Sequence, residues 1–384
     1  MTSTPTPNQL RAQQLMAKHK MCIVHDWMTV MGGAEEVLKV MHELLPVPIH
    51  VAQYNAEKLK WAENADVRRH WISNLPLSKT KHYLYSPVLA DVYRGFDLSE
   101  YDVVVSVSHT FAHHAKARPD AVHFGYYHTV ARALWVPEID GRVGEGFLRR
   151  KIADRLRRLD LEAAKNFTYV TANSNTAGAR VEKFYKRPLD NVLYPCVNTE
   201  KWRDTPRDGD DEGYVMWSRL IPYKKFDLAI EAAKKLGFKL HVVGSGPYEP
   251  ELKAMAQGHN NIIFDGRLPD AELKKLLSRA KGVLFPAYED FGIVPVEAMA
   301  AGLPVVVFNQ GGASETVLPE FGEHIAAQTP DELVAAIQRL EKKTYDPIAL
   351  KAHAEKYSEE RFRGELLDFI EAAIERGPNR RFIE

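Results

Sequence analysis

Phe285-Pro286-Ala287-Tyr288-Glu289-Asp290-Phe291-Gly292-Ile293-Val294-Pro295-Val296-Glu297-Ala298-Met299-Ala300-Ala301-Gly302 is the stretch whose reading decides the fold. The apolar run from Gly282 to Phe285 reads as a short buried strand. A loop with two acids follows. Pro295 suits the first turn of a helix, where its missing N–H costs nothing, and Gly302 with Pro304 stops that helix. Glu289 then lies at the carboxyl end of a strand, and Glu297 is expected in the first turn of the next helix. Ligands bind at that end of the strands in an open α/β sheet. The amides of Phe291, Gly292, Ile293 and Val294 approach a helix N-terminus, a ready site for phosphate.

Two glutamates eight apart say little alone, because a first-turn glutamate also stabilises a helix end. The wording around them says more. Glu-Asp-Phe-Gly-Ile-Val-Pro-Val-Glu-Ala-Met-Ala, followed by Gly311-Gly312-Ala313-Ser314-Glu315-Thr316, resembles the paired-glutamate motif of retaining, nucleotide-sugar-dependent glycosyltransferases of family four. It looks most like the O-antigen and exopolysaccharide mannosyltransferases. The resemblance runs from Met21 onward. It implies an α/β fold of two Rossmann-like domains facing across a cleft (GT-B), with a C-terminal helix crossing back to the first domain.

At 384 residues the chain is too long for one ordinary core. Apolar content of 45% and charged content of 27% are those of a soluble globular protein. Lys+Arg and Asp+Glu both total 51, so net charge gives no sign of a nucleic-acid partner. Cys22 and Cys196 cannot build a disulfide framework and suggest a reducing compartment. No apolar run reaches the length of a membrane span, and Met1 to Lys20 lacks the apolar core of a secretion signal. A cytoplasmic protein is the expectation. The domains are expected as a flexible tail over 1–20 that turns helical near Leu10, a first, acceptor-binding domain over 21–203 and a linker over 204–213. A second, nucleotide-sugar-binding domain over 214–357 and a returning helix over 358–384 complete the division.

Cys22 to His25 reads as the first strand, and Gly32-Gly33-Ala34-Glu35 opens a helix through Leu45. Adjacent glycines let backbone approach a ligand, and this pair resembles the family's loop beside the donor diphosphate. Val103–Val107 and Val122–Tyr127 are further strands. The segment Tyr126-Tyr127-His128-Thr129-Val130-Ala131-Arg132 is similar to the family's strand-end histidine motif. The resemblance gives His128 a place facing the transferred sugar and puts Arg132 on the acceptor side. His109 and His114 read as structural or merely exposed.

The helix from Phe147 to Lys165 has an apolar stripe of Leu148, Ile152, Leu156, Leu159 and Ala163. Its other face carries Arg149, Arg150, Lys151, Arg155, Arg157 and Arg158. Lys79, Lys81 and His82 lie upstream near Tyr83, Leu84 and Tyr85. Such a face is either simply solvated or docks on anionic lipid near a lipid-linked acceptor, at the inner face of the cytoplasmic membrane.

The strand Tyr214–Trp217 leads into Ser218-Arg219-Leu220-Ile221-Pro222-Tyr223-Lys224-Lys225, which resembles the family's Arg-and-Lys motif. Two cations there can neutralise a leaving diphosphate without a metal. Lys225 stands where the family usually has glycine. Gly244-Ser245-Gly246-Pro247 lacks the third glycine of a dinucleotide fingerprint and reads as a tight turn with a nucleotide-facing option. Arg267 follows the next strand, in the region that flanks the nucleobase in the family. Asp208-Gly209-Asp210 reads as linker rather than metal site.

The resemblance implies transfer of a sugar with retention, from GDP-mannose first among donors, to a glycan or polyprenyl-diphosphate-linked acceptor. No cofactor and no metal are implied. Arg219, Lys224 and the helix amides would answer the leaving diphosphate, Glu289 would hold a sugar hydroxyl and Glu297 the ribose. The alternatives are a UDP-sugar donor (glucose, galactose or N-acetylglucosamine), a nucleotide-sugar epimerase, and a non-catalytic sugar-nucleotide sensor. The epimerase should lack the Glu289-to-Glu297 wording. The sensor is disfavoured because His128, Arg219, Lys224, Glu289 and Glu297 are all intact.

Overall fold

A computed structural model describes residues 5–137, 147–209 and 211–382. The chain divides into two compact units. Unit 1 is Met1–Pro195 with Phe362–Glu384, and unit 2 is Cys196–Arg361.

Unit 1 is built on seven parallel strands: β1 (Met21–His25), β2 (Ile49–Val51), β3 (Val67–Arg69), β4 (Val103–Ser108), β5 (Val122–Tyr127), β6 (Tyr169–Ala172) and β7 (Asn191–Val192). Their order is β3-β2-β1-β4-β5-β6-β7, all pairs parallel. β1, β4 and β5 are buried along their whole length, as the near-continuous apolar runs of a two-sided parallel sheet require. The order reverses direction at β1, so the loops after β1 and β4 flank the switch point of the sheet.

Unit 2 has six parallel strands: β8 (Tyr214–Trp217), β9 (Leu240–Val243), β10 (Ile262–Gly266), β11 (Gly282–Phe285), β12 (Val305–Phe308) and β13 (Gly322–Ile325). The order β10-β9-β8-β11-β12-β13 puts its switch point between β8 and β11. These are the two strands whose loops carry Arg219, Lys224 and Glu289.

The chain departs from the sequence reading at both ends of the first domain. Residues 7–18 form a helix, Pro7–Lys18, that starts ahead of Leu10 rather than near it. Thr6 caps it: its hydroxyl accepts from the Gln9 amide, and the Gln9 side chain accepts from the Thr6 amide. Arg11 ties this helix to Asp368 and Glu371 of the Glu359–Arg376 helix. The unit boundary falls at Pro195/Cys196 rather than in the polar stretch 204–213. That stretch is held to unit 2, because the Asp208 and Glu212 amides donate to the Ser278 and Arg279 carbonyls. From Phe362 the final helix belongs to unit 1, where Phe362, Leu366, Leu367, Ile370 and Ala373 are buried. Cys22 and Cys196 are both free and buried.

The basic helix runs Phe147–Ala163, but its cations are not all available to a partner. Arg155 pairs with Asp91, and Arg157 donates to the Leu134 carbonyl and Asp154. Arg150 and Arg158 are exposed, and the Arg149 side chain lies outside the described residues. No helix among the described residues is long and apolar enough to cross a membrane.

Candidate functional site

The loops at the switch point of unit 2 carry three of the expected residues, and two of them, Lys224 and Glu289, meet. After β8 the chain passes through Arg219 into a short turn, Pro222–Lys224. Lys224 then folds its ammonium over the rings of Tyr223 and Phe285 and pairs with Glu289 from the loop after β11. Both side chains are mostly shielded, at 13% and 18% exposure, so water screens this pair less than it would a surface pair. Arg219 is exposed and makes no ion pair among the described residues.

Lys225 explains the glycine usual at its position. Its φ of 61° is left-handed, a conformation that a side chain penalises by about 1–2 kcal/mol. The Phe226–Leu236 helix starts directly after it.

The loop after β11 is shaped by backbone-to-backbone packing. Gly292, at φ 90°, opens the Ile293–Ala300 helix, whose N-terminus has no side-chain cap. The first-turn amides of Ile293 and Val294 are therefore the kind that receive an anion. The Gly312 amide donates to the Glu289 carbonyl at 2.8 Å, and a Cβ on Gly312 would meet the Asp290 carbonyl at 2.2 Å. The Gly311-Gly312 pair is thus what lets the next turn press against the acidic loop.

Glu297 lies in the same helix but beyond its first turn, because the helix already starts at Ile293, and it is largely withdrawn from water. The Trp217 indole donates to its Oε2 at 3.2 Å. Burial raises its pKa, with Trp217 and Lys201 pulling the other way. Gly244 and Gly246 support the Arg219 loop: a Cβ on either would meet the Ser218 or Leu220 carbonyl at 1.9 or 2.1 Å. Arg267 donates to Ser245 Oγ at 2.7 Å, joining the same turn.

The switch point of unit 1 holds a constellation that sequence reasoning missed. Asp26 follows β1 directly and is fully buried. It accepts the amides of His109, Thr110 and Phe111 at 2.6, 2.8 and 2.6 Å, and that of Ala112 as well. His109 Nδ1 lies 2.8 Å from its Oδ2. Burial alone would raise the Asp26 pKa, but His109, its amide and His25 outweigh it and hold the carboxyl well below its usual range. Burial opposes protonation of His109 too, and Asp26 overrides it, so the imidazole pKa is raised. His109, read from the sequence as structural or exposed, is partly exposed and pairs with buried Asp26. The only signal for this in the sequence was an aspartate immediately after an apolar strand.

His128 is buried at the end of β5, its ring 6.4 Å from that of His109. Burial, with His109 and His25 beside it, drives its pKa well below the usual value, so it is neutral. Arg132 opens the short Arg132–Trp135 helix just beyond and is close enough to act on the charge of His109. Gly32 caps the Gly33–Leu44 helix in extended geometry, so the turn itself does not require glycine. What the glycines leave is another helix N-terminus without a side-chain cap. His114 joins His113 against Asp160, which also accepts from the Trp135 indole. All three are fully buried, and their donor atoms lie within 4.8 Å of one another. The hydrogen-bonded network accounts for the structural reading of His114.

Two parallel α/β units of this order define the GT-B class. HepE of Anabaena, solved with UDP and glucose, matches 92% of this chain and 100% of its own at a TM-score of 0.69, with 19% identity. Residues 198–361 match the family described as "Glycosyl transferases group 1". A GDP-mannose-dependent monoacylated alpha-(1-6)-phosphatidylinositol monomannoside mannosyltransferase of Corynebacterium glutamicum is 36% identical over 130 residues, 30% of this chain and 34% of its own. O-antigen chain mannosyltransferase C of Escherichia coli is 26% identical over 239 residues, 57% of this chain and 61% of its own. The chain thus spans between about a third and three fifths of these relatives.

Proposed function

We propose that this protein is a retaining glycosyltransferase that moves mannose from GDP-mannose to a glycan or lipid-linked glycan acceptor in surface polysaccharide synthesis. The observation that carries this reading is the Lys224–Glu289 pair at the unit 2 switch point, beside the uncapped Ile293–Ala300 helix. In the ligand-free state the two charges satisfy each other. A donor would separate them: its diphosphate would take Lys224, Arg219 and the helix amides, and a sugar hydroxyl would take Glu289. Glu297 would hold the ribose. The cations answer charge that develops as the sugar–phosphate bond breaks, so no metal is needed.

Mannose is favoured by the relatives named as mannosyltransferases. HepE, solved with UDP and glucose, supports a UDP-sugar as the second reading. A thermal-shift panel of GDP- and UDP-sugars separates them. A ligand at a hundred times its dissociation constant stabilises by about 2.7 kcal/mol. The largest shift with GDP-mannose is expected, and an equal or larger one with a UDP-sugar rejects the mannose assignment. Peripheral attachment to an anionic membrane belongs to the same proposal. It is supported by exposed Arg150 and Arg158 and by exposed Trp71, Leu77, Tyr83, Leu84 and Val88.

A further inference from the structure

The Asp26–His109 pair has no role in binding the donor as described above, yet it occupies the switch point of its own sheet. We infer that His109 Nε2 receives a hydroxyl of the saccharide acceptor, with Asp26 fixing the ring that does so. This deepens the glycosyltransferase reading and rests on it for the word acceptor.

Four observations within unit 1 carry the inference. First, Asp26 cannot itself bind a ligand. Its two oxygens are sealed from solvent and already receive four amides and a long contact from Ser108 Oγ at 3.4 Å, with His109 Nδ1 2.8 Å from Oδ2. It can act only through His109. Second, the arrangement selects a tautomer. An ionised carboxylate at Nδ1 keeps the proton there, which leaves Nε2 of the neutral ring as an acceptor. Third, Nε2 is the open end. Nδ1 is buried, the side chain as a whole is 23% exposed, and Nε2 makes no hydrogen bond among the described residues.

Fourth, the surroundings suit a hydroxylated ring rather than an anion. The Trp27 and His109 rings meet edge to face at 4.8 Å, and Trp27 packs against His82 at 4.5 Å, whose Nδ1 lies 3.1 Å from Thr29 Oγ1. Aromatic surface with a few hydrogen-bonding tips is what recognises a sugar. The charged or titratable groups that bear on His109 are Asp26 and His25 at the end of β1, Glu35 of the Gly33–Leu44 helix, His128 after β5, and Arg132. The diphosphate-binding cations lie in unit 2.

The test uses the full-length protein and methyl α-mannoside as probe. The His109 imidazole resonance is assigned by its loss in His109→Asn, whose amide can still donate to Asp26 and so keeps the loop. Methyl α-mannoside should shift that resonance and lower its apparent pKa, because only the neutral ring accepts a hydroxyl proton. In transfer from GDP-mannose to this probe, His109→Asn should raise the acceptor KM about tenfold, the scale of one hydrogen bond. The donor KM should not move. GDP affinity of the variant, read in unit 2, verifies folding. An unmoved His109 resonance and pKa at saturating probe overturn the inference, as does an equal rise in both KM values. Wild type that consumes no nucleotide sugar overturns the glycosyltransferase reading instead, and the resonance titration still decides whether His109 meets a hydroxyl.

Discussion

Asp26→Ala should be among the most damaging single changes in unit 1, and the structure sets the scale. The carboxylate holds the amides of Phe111 and Ala112, which are buried, and those of His109 and Thr110, which are partly so. Removing it leaves four donors without an acceptor. Each unsatisfied buried group costs about 1–3 kcal/mol. The two buried amides alone sum to about 2–6 kcal/mol before water refills the hole, against a typical total stability of about 5–15 kcal/mol. Asp26→Asn keeps one oxygen but turns an NH2 toward two of the amides and discards the charge facing His109. A loss of about 3–5 kcal/mol is expected, as for a broken buried pair.

Urea unfolding of wild type and both variants measures this, with saturating GDP used to mark the unit 2 transition. The sign with pH is fixed as well. The folded pKa of Asp26 lies below its unfolded value, so its contribution is present above about pH 4 and is lost as pH falls through the folded pKa. Asp26→Asn should remove that part of the acid slope. A midpoint for Asp26→Ala within about 1 kcal/mol of wild type would refute the clamp.

Other outcomes follow from the unit 2 site. If the charge of Arg219 answers the leaving diphosphate as proposed, Arg219→Ala should lower turnover by about 10²–10³-fold, and steady-state kinetics reads this. Glu297→Ala should weaken binding of free GDP, whereas Glu289→Ala should leave it nearly intact and cripple transfer; calorimetry beside turnover would expose reversed roles. Lys225→Gly should stabilise unit 2 by about 1 kcal/mol by relieving the left-handed side chain, and thermal unfolding that shows a loss instead would place Lys225 in a needed contact. Transfer should persist in excess chelator, and a full loss restored by Mg²⁺ or Mn²⁺ would sink metal independence.

The sequence was most legible where local chemistry and local structure coincide. The central strands are four to six residues of buried, largely apolar chain, and the loops that follow several of them hold the glycines that tight backbone packing needs. Glu289, Arg219 and Lys224 could be placed in strand-end loops for that reason, and Glu297 in the helix that follows. Ile49–Val51, Val67–Arg69 and Asn191–Val192 were missed because two or three residues with a histidine, arginines or an asparagine carry no apolar run. The N-terminal helix was read as starting only near Leu10, although Thr6 and Gln9 spell its cap. Asp26 could not be read at all, because what defines it is a loop 83–86 residues further along the chain.

The central claim concerns what happens to the donor. Purified protein should be incubated with GDP-mannose and an acceptor glycan, following GDP release and the anomeric configuration of the product by NMR. Formation of an α-mannoside together with GDP, abolished in Lys224→Ala, is the predicted result. No consumption of GDP-mannose or of any UDP-sugar, in protein whose GDP binding is intact, would contradict it.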